Sequence, residues 1–200
     1  MVVAMLICEH GELRARLREF ERAFRGIHRN YWYALRTAVL IVVSFFRCER
    51  CGACCRYSPP VFREEEAVRI ARYLGRRVED LPLEPFISLS RRYFRAGSPC
   101  PFLGEDNKCT VYEVRGAQCR SFPHEWLMYS MVPAYCPALP KAIAAATKYI
   151  VENAEKVSRA ATLMEYELSR LARDSGYKER MRYLEYRPLV NKLLRILEES

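Results

Sequence analysis

Two hundred residues, half of them hydrophobic, carry 33 basic and 24 acidic side chains, for a formal net charge of +9. A chain of this size can bury a core without help from a metal, and its length points to one domain, or one domain with a helical extension. Eight cysteines held as thiolates around two divalent ions would put about −2 on each four-thiolate site and bring the working charge to roughly +5, so the basic excess does not by itself argue for nucleic acid or an anionic membrane.

Residues 1–8 are apolar but lack a basic leader and a small-residue cleavage site, so no export signal is expected and the chain should stay in the cytoplasm. Residues 11 to about 29 predict a basic helix with Leu13, Leu17, Phe20, Phe24 and Ile27 on one side. The apolar run 37–46 is about half the roughly 20 residues a membrane helix needs, which argues against membrane insertion. Its β-branched and aromatic residues, 39–46, predict a short buried strand that leads into the first cysteine.

Ser58, Pro59 and Pro60 break the chain. Residues 64–74 then predict a short helix with an acidic first turn, Val68, Ala71 and Leu74 inward, and Gly75 just beyond its end. From 79 to 140 prolines, glycines and cysteines recur every few residues and predict irregular loops pinned by something other than hydrogen-bonded ladders. Beyond Pro140 a long helix is predicted to about 173, with Ile143, Ile150, Val157, Met164 and Leu171 seven apart and Thr147, Ala154, Ala161 and Leu168 in the alternate set. Ser175 and Gly176 interrupt it before a last helix carrying Met181, Leu184, Val190, Leu193, Leu194 and Leu197. The pair reads as a C-terminal helical hairpin whose stripe is core rather than a dimer seam. The expected fold is therefore mainly α with a loop-rich, cysteine-rich metal-binding core and little β. It is read as a single domain in three parts: an N-terminal helix and strand (1–45), a cysteine module (46–140) and the hairpin (141–200).

Cys48-Glu49-Arg50-Cys51-Gly52-Ala53-Cys54-Cys55 places four sulfurs in eight residues, and two-residue gaps let successive thiolates turn toward one ion or cluster. Gly52 suits the tight turn, having no Cβ to oppose a positive φ. Cys54 and Cys55, as neighbours, are expected to point different ways, so that one serves this site and the other a second site or none. Cys100, Cys109, Cys119 and Cys136 complete the pool of candidate metal ligands. In a reducing compartment clustered thiols indicate metal chemistry more than disulfides. Cys8, alone in an apolar segment, reads as a small buried hydrophobe.

The gaps between Cys48, Cys51 and Cys54 match the leading part of a cubane-cluster run, and Cys136 before Pro137 echoes its fourth member. A [4Fe-4S] iron-sulfur cluster on those four is the leading reading, in a redox protein or an accessory subunit. Two tetrahedral zinc sites made from all eight cysteines are the alternative. There the metal is structural, and the arginine-rich N-terminal helix contacts nucleic acid or a protein partner. A thioredoxin-like reading fails, because Pro59 and Pro60 follow too soon for the helix that its nucleophilic thiol requires.

Around the sulfurs, Arg115 and Arg120 flank Cys119 and can donate hydrogen bonds to bound thiolates. Phe102, Tyr112, Phe122, Trp126, Tyr129 and Tyr135 can form an apolar coat. His124 is read as a solvent-facing loop histidine rather than a ligand. No phosphate-cradling loop, dinucleotide fingerprint, metalloprotease helix or serine or paired-carboxylate catalytic set is recognisable, so no catalytic residue is assigned.

With these residues the sequence resembles the CxxCxxCC cysteine-cluster family of zinc- or iron-chelating proteins. The resemblance runs from residue 46 to 137. It is carried by Cys48-x-x-Cys51-x-x-Cys54-Cys55, by Cys100-Pro101-Phe102-Leu103, by Cys109 with Tyr112, Glu113 and Arg115, and by Cys119-Arg120-Ser121-Phe122-Pro123. The family has proline after the arginine matched by Arg115, where this chain has Gly116. Chelation is what the resemblance implies. Some relatives look like parts of flagellin lysine methylases, which leaves a methyltransferase-related enzyme as a second alternative, although no methyl-donor motif is recognisable here.

Overall fold

A computed structural model describes residues 11–57, 60–88, 90–128, 136–173 and 187–199. The expectations for Cys8, Ser58, Pro59, Tyr129, Tyr135, Ser175, Gly176, Met181 and Leu184, and for the side chains of Trp126 and Leu171, lie outside the described residues. The chain divides into two compact units, Met1–Arg47 with Ser121–Ser200, and Cys48–Arg120.

The first unit is helical. In α1 (Gly11–Arg25) the predicted stripe of Leu13, Leu17, Phe20 and Phe24 is buried, with Ile27 just beyond the helix, and Phe20 meets Phe24 edge to face at 5.2 Å. Glu21 is buried too, and Arg25 at 2.9 Å and the Tyr31 hydroxyl at 3.3 Å satisfy its carboxylate. In α2 (Tyr31–Phe45) the Asn30 side chain accepts the Trp32 N–H at 3.0 Å and caps the helix start.

Residues 39–46, expected to be a strand, are instead the second half of α2 and its C-cap. The reason lies in the surroundings of α2. Helices α6 (His124–Met128), α7 (Ala138–Glu152), α8 (Ala154–Arg173) and α9 (Arg187–Glu199), together with α1, all touch α2. A central helix is apolar all round, so its sequence has no 3.6-residue period, and a continuous apolar run does not distinguish helix from strand. The β-branched residues Val39, Ile41 and Val42 cost a few tenths of a kcal/mol each in a helix, whereas burial contributes about 1.5–3 kcal/mol per side chain.

The long helix expected beyond Pro140 is divided at Asn153, whose φ of −125° and ψ of 31° interrupt it between α7 and α8. The seven-residue stripe continues across the break, with Ile143, Ile150, Val157 and Met164 fully buried. Of the alternate set Ala161 and Leu168 are buried, Thr147 is partly covered and Ala154 is exposed. Helix α9 packs on α8, with Lys192 Nζ 2.6 Å from Glu167, and buries Leu189, Val190, Leu193 and Leu197 but leaves Leu194 exposed.

The second unit holds a three-stranded antiparallel sheet in the order β1-β3-β2, from β1 (Val61–Arg63), β2 (Leu83–Ser88) and β3 (Arg91–Ala96). The β2–β3 hairpin lies in a stretch predicted to be irregular, because Pro85 and a run of arginines mask its alternation. A short helix, α3 (Ala53–Tyr57), precedes β1, and α4 (Glu64–Tyr73) follows it. Helix α4 buries Ala67, Ile70 and Ala71, and Val68, one step round from that stripe, is exposed rather than inward. Gly75 follows at φ +65°, as a helix end requires. Phe62, Ile70, Leu81, Phe94, Phe102 and Val111 form the core. Among the described residues no helix is long and apolar enough to cross a membrane.

If α2 organises the first unit as a helix buried on all sides, Leu40→Ala should lower its unfolding free energy by about 2–5 kcal/mol. Far-ultraviolet circular dichroism should still read a helical fold, and denaturant titration should show the loss as an earlier midpoint.

Candidate metal centre

The first cysteine segment is turned by two left-handed residues, Arg50 at φ +53° and Gly52 at φ +72°. Gly52 is also closely approached, since a Cβ there would lie 2.9 Å from the Asn107 carbonyl oxygen and 3.0 Å from Leu103 Cδ1. Beyond this turn α3 carries Cys54 and Cys55. Their sulfurs come within 4.0 Å instead of diverging as neighbours were expected to. Two thiolates on one tetrahedral zinc ion stand about 3.8 Å apart, from a Zn–S bond near 2.3 Å.

Two further segments come to α3. The Cys55 carbonyl accepts the Cys100 N–H at 2.7 Å, and Leu103 and Cys109 pair as an isolated antiparallel bridge. Cys119 rides on α5 (Ala117–Arg120), whose position Glu66 secures. This buried carboxylate accepts the Ala117 N–H at 2.6 Å with one oxygen and the Arg63 N–H at 3.0 Å with the other, tying the start of α5 to that of α4. Sequence reasoning did not single out Glu66, whose acidic first-turn position signals only a helix start. Gly116 is needed for a similar reason: a Cβ there would lie 2.7 Å from the Phe62 ring, so the family's proline does not fit unless Phe62 moves.

Electrostatics groups the sulfurs. Burial pushes the Cys119 thiol up, and the charges of Cys54, Cys100, Cys109 and Glu66 push it further. Burial likewise raises Cys100 to about 11, against a lowering hydrogen bond from Phe102, with Cys109 and Cys54 adding to the rise. Cys109 is raised by burial and by Cys54 and Cys48, and lowered by the Val111 N–H and the Arg115 charge. Cys54 is raised first by its contact with the Cys55 thiol, then by burial. Cys54 thus acts on Cys100, Cys109 and Cys119, with Cys55 against Cys54 and Cys48 near Cys109.

Seven of the eight candidate ligands lie in the second unit. Cys48 and Cys51 are exposed, Cys54, Cys55, Cys109 and Cys119 are partly covered, and Cys100 is buried. Cys136 is buried in the first unit's core with Leu127 and Leu139. None of the eight is disulfide-bonded. Among the described residues no three His, Cys, Asp or Glu side chains converge tightly enough to grip an ion as they stand. The donor chemistry nevertheless fits zinc or iron: the coupled set is all sulfur, the ligand both metals accept in closed four-coordinate shells. A cysteine sulfur moves by rotation about a single bond, so closing such a shell requires side-chain rotation.

The flanking groups differ from expectation. Arg115 acts on Cys109 rather than on Cys119, and Arg120 donates to the Arg115 carbonyl at 2.5 Å. Phe102 belongs to the core of the second unit, whereas Phe122 meets Phe46 at 5.2 Å in the first. His124 is not solvent-facing but buried in the first unit, where burial, aided by the Arg36 charge, pushes its pKa down to about 3.

Two consequences are measurable. Gly52→Ala forces a side chain into both a left-handed turn and the Asn107 carbonyl, and should cost about 1–3 kcal/mol, read as an earlier unfolding midpoint. His124, with its folded pKa lowered from 6.5 to about 3, contributes stability that is fully present above pH 6.5 and lost as pH falls toward 3. The unfolding midpoint of the wild type should drop across that window, and by less in His124→Gln.

No curated protein and no solved structure matches the chain. One family model does, over residues 47–137, just under half of the chain: CxxCxxCC, described as "Putative zinc- or iron-chelating domain". The cysteine-bearing segment 47–137 is thus similar to the CxxCxxCC family.

Proposed function

We propose that the second unit chelates zinc or iron through thiolates, with Cys54, Cys100, Cys109 and Cys119 forming one four-sulfur shell. What supports it is the approach of their three segments: the Cys55 carbonyl accepts the Cys100 N–H at 2.7 Å, Leu103 and Cys109 pair as a bridge, and Cys119 lies where burial and the charges of Cys54, Cys100 and Cys109 raise its thiol. In the metal-free protein burial keeps such thiols protonated. A metal replaces those protons and turns the cost of gathered negative charge into ligand bonds. When bound, zinc would brace the loops without changing oxidation state, whereas an iron-sulfur cluster could also pass an electron.

A [4Fe-4S] cluster is the second reading. The spacing of Cys48, Cys51 and Cys54 favours it, as do the left-handed turns at Arg50 and Gly52 that curl this run. The two readings share Cys54 and differ elsewhere. Cys54→Ser should abolish metal retention in either. Cys119→Ser or Cys100→Ser should abolish it for the four-sulfur shell and spare the cluster, and Cys48→Ser or Cys51→Ser should do the reverse. Metal per folded chain, measured by elemental analysis after anaerobic purification, decides between them. Full retention in Cys54→Ser would contradict both.

A further inference from the structure

We infer that Glu66, Arg69 and Gln118 set the affinity of the metal centre without touching the metal, by holding residues 114–118 against β1 and α4 so that Cys119 stands in place before a metal arrives. This inference rests on Cys119 serving as a ligand, as proposed above. Glu66 and Arg69 lie three residues apart on α4, hence on one face. The Glu66 carboxylate accepts the Ala117 N–H at 2.6 Å, and Arg69 donates through Nε to the Val114 carbonyl at 3.5 Å and through Nη2 to the Arg115 carbonyl at 3.4 Å. Gln118 reaches β1, where its Oε1 accepts the Val61 N–H at 2.7 Å. Between these ties Gly116 lies against the Phe62 ring, with no room for a Cβ.

Cys119 follows directly, on a helix of four residues that is too short to hold its own shape. Its direction is therefore set by the docked residues before it. The groups that Glu66 and Arg69 hold are backbone N–H and C=O, so the grip fixes the path of the chain itself. Glu66 suits the task for a further reason. A glutamine would cap α4 as well as a glutamate does, since one oxygen suffices for the Arg63 N–H. Only a carboxylate presents a second accepting oxygen to Ala117, and it does so although burial penalises its charge. The Arg69 guanidinium, 4.0 Å away, offsets part of that penalty. A ligand held in this way has less freedom to lose on binding, which is the gain that preorganisation brings to a site. Glu66, Arg69 and Gln118 are thus positioning residues that act through Cys119.

The test is zinc affinity per folded chain, measured anaerobically by competition with a chromophoric chelator, with circular dichroism and the absorption spectrum of the cobalt-loaded form for each variant. Glu66→Gln keeps the shape but only one accepting oxygen, and should weaken zinc binding about ten- to a hundredfold. Its thiolate-to-cobalt charge-transfer band, per bound cobalt, should fall as Cys119 leaves the shell, a change that a loss of fold stability alone does not produce. Gln118→Met should do the same, and Gln118→Glu, which retains the accepting oxygen, should recover most of the loss. Gln118 is only partly covered, so its two variants decide the matter if Glu66→Gln lowers the folded yield. Affinities within about twofold of the wild type, with an unchanged cobalt spectrum, would overturn the inference. Cys119→Ser separates the two levels. If it keeps its zinc in full, the four-sulfur shell fails and the inference with it; if it loses zinc while the Glu66 and Gln118 variants bind as the wild type does, the inference fails alone.

Discussion

Like charges brought together in a partly buried place are the constraint on which the second unit depends. Burial raises the proton affinity of Cys100, Cys109 and Cys119, and the charge of Cys54 raises all three further. Such a group is tolerable as neutral thiols, or as thiolates facing a cation, but not as bare anions. The rest of the unit serves that arrangement. Glu66 ties α5, with Cys119, to α4; the Cys55 carbonyl holds the Cys100 backbone; the turn at Gly52 brings α3 against the loop at Asn107. These are ordinary backbone and side-chain bonds, which the apo chain can make without metal. They bring the ligand segments together, while final closure of a shell is left to side-chain rotation. That division of labour suits a chain whose core is large enough to fold around its own apolar residues.

The first unit follows a different logic. Its organising element is α2, packed by helices and apolar between Ala34 and Val42 apart from Arg36 and Thr37. Its polar features are placed where they can be neutralised or kept neutral: Glu21 between Arg25 and Tyr31, His124 held uncharged beside Arg36. Cys136 shares this core, which shows how a cysteine that looks like a ligand in sequence can also pack as a small apolar side chain.

What could be read from the residues alone was whatever is local. The stripe of α1, the acidic start of α4, the seven-residue repeat from Ile143 to Met164 and the positive φ at Gly52 each depend on near neighbours, and each was legible. The strand expected over 39–46 was a helix because all-round burial erases the period that separates the two. The β2–β3 hairpin was missed because Pro85 and the arginines of β3 hide its alternation. Glu66 and Gly116 owe their roles to partners about fifty residues away in the chain. No pattern within either segment announces such contacts, and the same holds for the grouping of Cys100, Cys109 and Cys119 about Cys54. Spacing marks the candidate ligands; only the fold says which of them come near one another.

The central claim is that sulfurs from separate segments share an inorganic centre, and metal content tests it most directly. Protein purified without oxygen and without chelator should contain zinc, or iron with acid-labile sulfide, in a fixed ratio to folded chain. Its cysteine module should loosen when a strong chelator removes the metal. Folded protein with neither metal, and with protease resistance indifferent to chelator, would contradict the account.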